Sequence, residues 1–516
     1  MFHILPLLPA LLVGFAGVSS LVFAADSSAA LPPDAQEMLK SFPGQKLSLD
    51  TVVGRAIQAS ESFKAVASQK IAAESPLLQA DAITDPRVYA RFSRSLSRLE
   101  PTNPFATTRA SLASVTAGAQ KLFSTGTALQ FEVIHGYQDL TFPFQSIPLN
   151  YETRGTLMLT QNLWADGFGS ATRAAIDSGR FATEAARAGF DEAVEAWVLD
   201  LMQLYYSAWL SQAQAEASAV SLKRRKRLLE ITQIKLKRGN AERPDLLQIQ
   251  GANSNSEIQL DQSVQSLGDV WRNLVTSLKL PTSWIRIDPR EIPLVLDDPV
   301  EAATSACGKP GQLSEPPQET AATRRAVLQF ESARKAAERA KSEARPDLEL
   351  ALGVQSNGVD LRGNPTFGEV FRMDHPAYQL GVNFTMPLGF SAEKARAVSA
   401  AADAVRSEAQ SSLEREGLPT LWMNLCLDLF RNQRAFELNR TSQEQQALRA
   451  NLEEERFKIG RSSMLMVIQA GDDATLAELA LKRSEVERRL AAWRVRRLTG
   501  GLQKYVEKLL AAGGAP

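Results

Sequence analysis

Apolar and polar residues alternate in two pairs of segments, and after each pair the pattern changes to a helical period. Between Thr127 and Tyr137, Leu129, Phe131 and Val133 alternate with Gln130 and Glu132; between Gly155 and Leu163, Leu157, Leu159 and Leu163 alternate with Met158, Thr160 and Asn162. This predicts a hairpin with one apolar face. In the second pair Leu348, Leu350, Leu352 and Val354 alternate with Glu349 and Gln355. There, too, Tyr378, Leu380, Val382, Phe384 and Met386 alternate with Gln379, Gly381, Asn383 and Thr385. Each strand spans about 9 to 11 residues, the length a tilted strand needs to cross an outer membrane. A soluble sheet packed on its own helices would show the same alternation.

The segments that follow favour the first reading. Both hairpins leave through a Gly-Phe pair, Gly167-Phe168 and Gly389-Phe390. From Ser170 to about Leu236 there is no proline, and Val194, Trp197, Leu201, Leu204 and Ala208 hold the 3,4 spacing of a coiled-coil seam. At ~1.5 Å per residue such a helix approaches 100 Å, too long for covering so small a sheet. A turn at Gly239 leads to a return helix that begins near Pro244 and stops at Pro281. The second copy turns at Gly460, and Leu476, Leu479, Val486, Leu490 and Trp493 repeat the seam until Gly500-Gly501 ends it. Pro419 is predicted to kink or divide the second long helix. Alanines along the seams (Ala185, Ala186, Ala188; Ala213, Ala215, Ala217) allow close interhelix approach and also favour helix for its own sake. A duplicated hairpin-plus-coiled-coil unit is a plan for building a tube rather than an enzyme.

The implied organisation is a signal peptide at 1–24 and a first repeat at 25–280, with a strand region at about 86–164 and a helical hairpin at 170–280. A connector follows at 281–318, near the tube's equator, and then a second repeat at 319–516, with strands at about 346–387, a helical hairpin at 390–498 and a short tail. The signal rests on the apolar run Leu5 to Phe23 and the small residues before Ala25, which predict cleavage after Ala24 and export. Its first residues lack Lys or Arg, so a misassigned start or an uncleaved anchor is the alternative. Beyond it no apolar run of 18 residues occurs, so a membrane role would have to use strands.

Composition removes other classes. Lys+Arg and Asp+Glu both number 58, giving zero net charge and no basic field for nucleic acid. Cys307 and Cys426 have no spacing for zinc or a redox pair and are read as two unpaired structural thiols, though one disulfide is open to an exported chain. His135 lies in a strand and His375 before Pro376, which does not make a metal site. No phosphate loop or catalytic triad context is present, so neither cofactor nor enzymatic activity is expected. The basic run Lys223 to Arg227 is read as a solvated helix face rather than an adaptor site. Arg488, Arg489, Arg494, Arg496 and Arg497 are read as a wet face paired with acids on a neighbouring helix.

Three motifs resemble the TolC-like outer-membrane efflux proteins. Leu159-Thr-Gln161-Asn-Leu163 followed by Gly167-Phe168-Gly169 is similar to the L-x-Q-x-L … GFG run of one family branch. Arg238-Gly239, with Asp245 and Leu246-Leu247 beyond it, looks like the family's helix turn at the inner mouth. Ile459-Gly460-Arg461 with Met466-Val467-Ile468-Gln469 looks like its partner. The resemblance begins at Leu47 to Ile57, similar to the family's first helix, and extends to the helix ending near Leu498. It implies a homotrimer in which each chain gives four strands to a 12-stranded outer-membrane barrel, continued by a periplasmic α-helical coiled-coil barrel. It further implies a passive exit duct that works with a periplasmic adaptor and an inner-membrane pump to expel small molecules or proteins. A soluble periplasmic coiled-coil scaffold or adaptor is the alternative.

The sequence departs from the family in two places. Val88 to Leu99 and Thr108 to Phe123 are additional alternating material, joined by the turn-like Pro101 to Pro104; they would form an extra hairpin that widens the barrel, or an ordered extracellular loop. At the second turn Met466 and Gln469 stand where well-known members carry acids. The candidate mouth therefore comprises Arg238, Gly239, Asp245, Gly460, Arg461, Met466, Gln469, Asp472 and Asp473. Asp245, with Arg238 or Arg461, is the candidate latch of a closed state.

Overall fold

The computed structural model describes residues 46–513 except 99, 101–107, 142–145 and 240. The signal segment Leu5 to Phe23 with its cleavage point after Ala24, the turn at Pro101 to Pro104, and Asn240 lie outside the described residues.

Among the described residues three short helices come first: α1 (Leu49–Ala59), α2 (Glu61–Ala72) and α3 (Ser75–Asp81). Four strands follow, β1 (Arg87–Ser97), β2 (Arg109–Leu122), β3 (Thr127–Thr141) and β4 (Ser146–Asn162). The chain then enters α4 (Ser170–Lys237), returns in α5 (Arg243–Ser277), and passes through a connector holding α6 (Val300–Cys307). The second half runs α7 (Ala321–Glu343), β5 (Asp347–Asp360), α8 (Gly363–Arg372), β6 (Pro376–Thr385), α9 (Ser391–Lys458), α10 (Met464–Leu498) and α11 (Gly501–Gly513). The copies match in length: α4 and α9 each have 68 residues, and α5 and α10 each have 35.

The strands form one six-stranded antiparallel sheet in the order β6-β5-β4-β3-β2-β1. Among the described residues this sheet has six strands in place of the four that the family resemblance implied, because the extra alternating segments extend it. β2 pairs with β3 from Arg109↔Thr141 to Leu122↔Ala128 without a break. Register carries the apolar face across all six strands: Val88, Ala119, Phe131, Leu157, Val354 and Tyr378 are successive cross-strand neighbours. The next row, Tyr89, Gly118, Glu132, Thr156, Gln355 and Ala377, lies on the opposite face. α8 packs on the apolar face at the far end of β4 and β5, where Gly155 and Gly358 leave room for Val370 and Thr366.

The main core sits at mid-length. Val198, Leu201, Tyr205 and Ala208 of α4 meet Trp271 and Leu274 of α5, Trp284, Trp493 of α10 and Leu502 of α11. The first seam packs as predicted there, whereas Leu476 of the second is 65% exposed. Pro419 does not divide α9, which runs through it. The helical bond lost at proline is tolerable here because Pro419 is exposed and water can serve the freed carbonyl.

Cys307 and Cys426 are joined in a disulfide, which corrects the reading of unpaired thiols. It ties α6 to α9 within a second cluster with Val300, Trp422 and Val495. The arginine run on α10 is also less wet than predicted. Arg489 is 7% exposed, donating from Nε to the Asp297 carbonyl (2.6 Å) and pairing with Glu485 of its own helix (3.1 Å). Arg497 does pair with Glu195 of α4, at 3.2 Å.

Candidate functional site

Two regions have geometry a duct would need: the junction of sheet and helices, and the far helix tips. At the junction the backbone turns from strand to helix within a few residues. Asp166, Phe168 and Gly169 take φ of 52°, 51° and 77°, all left-handed. The Asp166 carboxylate offsets that strain by accepting from the Ala171 and Thr172 backbone N–H groups (2.6 and 2.9 Å) and the Thr172 hydroxyl (2.6 Å), capping α4. The β2–β3 turn lies directly on Gly169, where a Cβ would fall 2.0 Å from the Ser124 carbonyl oxygen. Phe390 repeats the left-handed conformation, with φ 50°, before α9. Among the described residues, no helix is long and apolar enough to cross a membrane. The edge strands of the sheet carry large exposed apolar side chains: Val88, Phe92, Tyr378, Leu380, Val382 and Phe384 are 56–83% exposed.

At the other end Gly239 and Gly460 take φ of 74° and 77° and close the two helix turns. Nothing approaches within 4 Å of a Cβ built on either, so conformation alone calls for glycine. Beneath them Leu228, Ile249, Phe457, Met464 and Val467 form a small buried cluster. Lys235 donates to the Phe457 carbonyl and sits 3.9 Å from the centre of its ring.

The candidate mouth residues separate into two sets. Asp472 pairs with Arg225 of α4, and Asp473 pairs with Arg449 of α9 at 2.9 Å, so α10 is clamped to both long helices. Arg225 is the member of the basic run that turns inward: its side chain is 7% exposed, against 67% for Arg227. Asp245 uses Oδ2 to accept from the Glu242 N–H at 3.1 Å, holding the start of α5. Arg238 and Arg461 are exposed and pair with no acid of their own chain among the described residues. Met466 and Gln469 are also exposed. The sequence did not single out Arg225 or Arg449, because which helices face Asp472 and Asp473 is set by tertiary packing.

Between these ends a buried polar girdle braces the equator. Tyr206 donates to Asp297, and Trp493 Nε1 lies 3.0 Å from both the Tyr206 hydroxyl and Asp297 Oδ2. Burial pushes the Asp297 carboxyl above the ordinary aspartate range, against the pull of these donors and of Arg489. The Tyr205 hydroxyl lies 2.6 and 2.7 Å from the Leu47 and Val295 carbonyl oxygens, which share its one proton, and accepts from the Val295 N–H at 3.0 Å. His135 is a packing residue, bonded to the Thr153 hydroxyl (2.8 Å) and stacked on Phe367 (4.7 Å).

No protein-family profile matches the sequence, and no curated protein matches it by sequence. Solved structures do match. The outer membrane protein VceC of Vibrio cholerae aligns with TM-score 0.64 and 16% identity, over 88% of this chain and 96% of that one. The CmeC outer membrane channel of Campylobacter jejuni aligns with TM-score 0.65 and 12% identity, over 97% of both chains. The MtrE outer membrane channel of Neisseria gonorrhoeae, in its open state, aligns with TM-score 0.58 and 15% identity, over 88% of this chain and 89% of that one. The chain thus has the fold of the TolC-like outer-membrane channels.

Proposed function

We propose that this chain is an outer-membrane efflux channel, the passive exit duct of a tripartite efflux or type I secretion system. It acts as a homotrimer: the sheets join in a membrane barrel in contact with outer-membrane lipid, and the long helices form a periplasmic tunnel. The helix tips meet a periplasmic adaptor and an inner-membrane pump, which supplies the energy. The observation that carries this reading is the apolar row crossing all six strands, set end to end with two helices of 68 residues. A soluble protein has no use for a sheet face of that extent left in water, whereas hydrocarbon accepts it and admits strands only in a closed barrel. At the mouth, Asp245 of one copy is proposed to latch Arg238 or Arg461 of a neighbour. The in-chain pairs Asp472–Arg225 and Asp473–Arg449 keep α10 in its resting place.

Membrane fractionation tests the location. The protein is expected to stay with outer membranes through salt and carbonate washes and to leave only with detergent. Release by carbonate would favour the soluble scaffold.

A further inference from the structure

Each end of the sheet is an open edge. Among the described residues β1 pairs only with β2, and β6 only with β5. An even number of alternating strands means that β1 and β6 run in opposite directions, so β1 of one copy and β6 of another can pair as an ordinary antiparallel ladder. The edges match in length, 11 and 10 residues. They also match in phase: Val88 and Tyr378 end the same apolar row, and Tyr89 and Ala377 end the row on the other face. Thus Val88, Ala90 and Phe92 on β1 continue the face of Tyr378, Leu380 and Val382 on β6, while Tyr89, Arg91, Ser93 and Ser95 continue that of Gln379, Gly381 and Asn383. β1 carries Arg87, Arg91 and Arg94, but neither edge has a bulge or an internal proline to block pairing. The β1–β2 and β5–β6 ladders have no bulge, and the one proline, Pro376, is the first residue of its strand.

We propose that three copies close as one eighteen-stranded barrel, with β1 of each chain hydrogen-bonded to β6 of the next. This rests on the trimeric outer-membrane reading and adds the seam between copies and the size of the pore. In hydrocarbon both edges must be paired, because no water is there to serve their N–H and C=O groups. A twelve-stranded barrel would instead require β3 to meet β6 of the neighbour. That would strip away the unbroken β2–β3 ladder from Arg109 to Leu122. Since diameter rises roughly linearly with strand number, the lumen would be about half as wide again as that of twelve strands.

Cysteine cross-linking in the full chain tests the seam. Asn383→Cys on β6 is combined, one at a time, with Cys at Tyr89, Arg91, Ser93 or Ser95 of β1, or at Gln130 or Glu132 of β3. The native cysteines are already paired with each other and do not compete. After oxidation, covalent dimers and trimers are expected at one or two adjacent β1 positions and at neither β3 position. Cross-links at β3, or an intact trimer that cross-links at no β1 position, would overturn the eighteen-stranded seam. The native mass of the same preparations separates the two levels, because a monomer would overturn the trimeric reading itself and the seam with it.

Discussion

Three left-handed residues, Asp166, Phe168 and Gly169, turn strand β4 into helix α4. A non-glycine residue pays roughly 1–2 kcal/mol for that conformation, so the turn holds only because Asp166 caps the helix and the β2–β3 turn packs on Gly169. Gly169→Ala places a Cβ against Ser124 as well as straining the backbone. It should lower stability by about 2 kcal/mol or more, read as a fall in thermal midpoint. Asp297 supplies a pH signature. Its pKa is raised by burial, so the folded state holds the proton more tightly than the unfolded chain does. This contribution is fully present below the ordinary aspartate value and is lost as pH rises towards the folded one. Asp297→Asn should flatten that part of the pH–stability profile; an unchanged slope would place the dependence elsewhere. Part of this scale was legible in the sequence: the Gly-Phe exits and the two tip glycines stand out because their conformations demand particular residue types. The Cys307–Cys426 bond was not, since it depends on a tertiary approach across 119 residues. Arg225 was hidden for a similar reason, because helical rotation turns one arginine of a uniformly basic run inward.

The long helices and the four strands flanking them were readable at the level of elements, because periods of 2 and 3.6 persist over many residues. The sequence left open whether β1 and β2 extend the sheet, since alternation fixes a strand's faces but not its neighbours. Pro419 was expected to kink or divide α9 and does not divide it, since an exposed helix face tolerates a proline that a buried one would not. If the face of β6 bearing Tyr378 to Phe384 meets lipid, Phe384→Arg should cost roughly 2–4 kcal/mol near the bilayer midplane, and Asn383→Arg on the opposite face should be tolerated. Heat-stable assembly on gels distinguishes them, and equal defects would mean that the strand is not a barrel stave. At the tips, each exposed ion pair contributes about 0.2–1 kcal/mol, repeated by threefold symmetry. Asp473→Ala, which frees Arg449, and Asp245→Ala should therefore raise open probability in planar bilayers. Unchanged currents from intact trimers would remove the clamp and the latch from the account.

At the scale of the whole molecule, the proposed duct exists only as an assembly. Among the described residues one chain supplies a six-stranded sheet with two open edges. Known closed single-chain membrane barrels need at least eight strands, so neither lumen nor membrane crossing is possible for a monomer. The native mass of the detergent-extracted particle, measured after subtracting bound detergent, tests this most directly. The account predicts three copies of a chain close to the 56.4 kDa of the full sequence, less any cleaved signal segment. A particle with the mass of a single chain would contradict it.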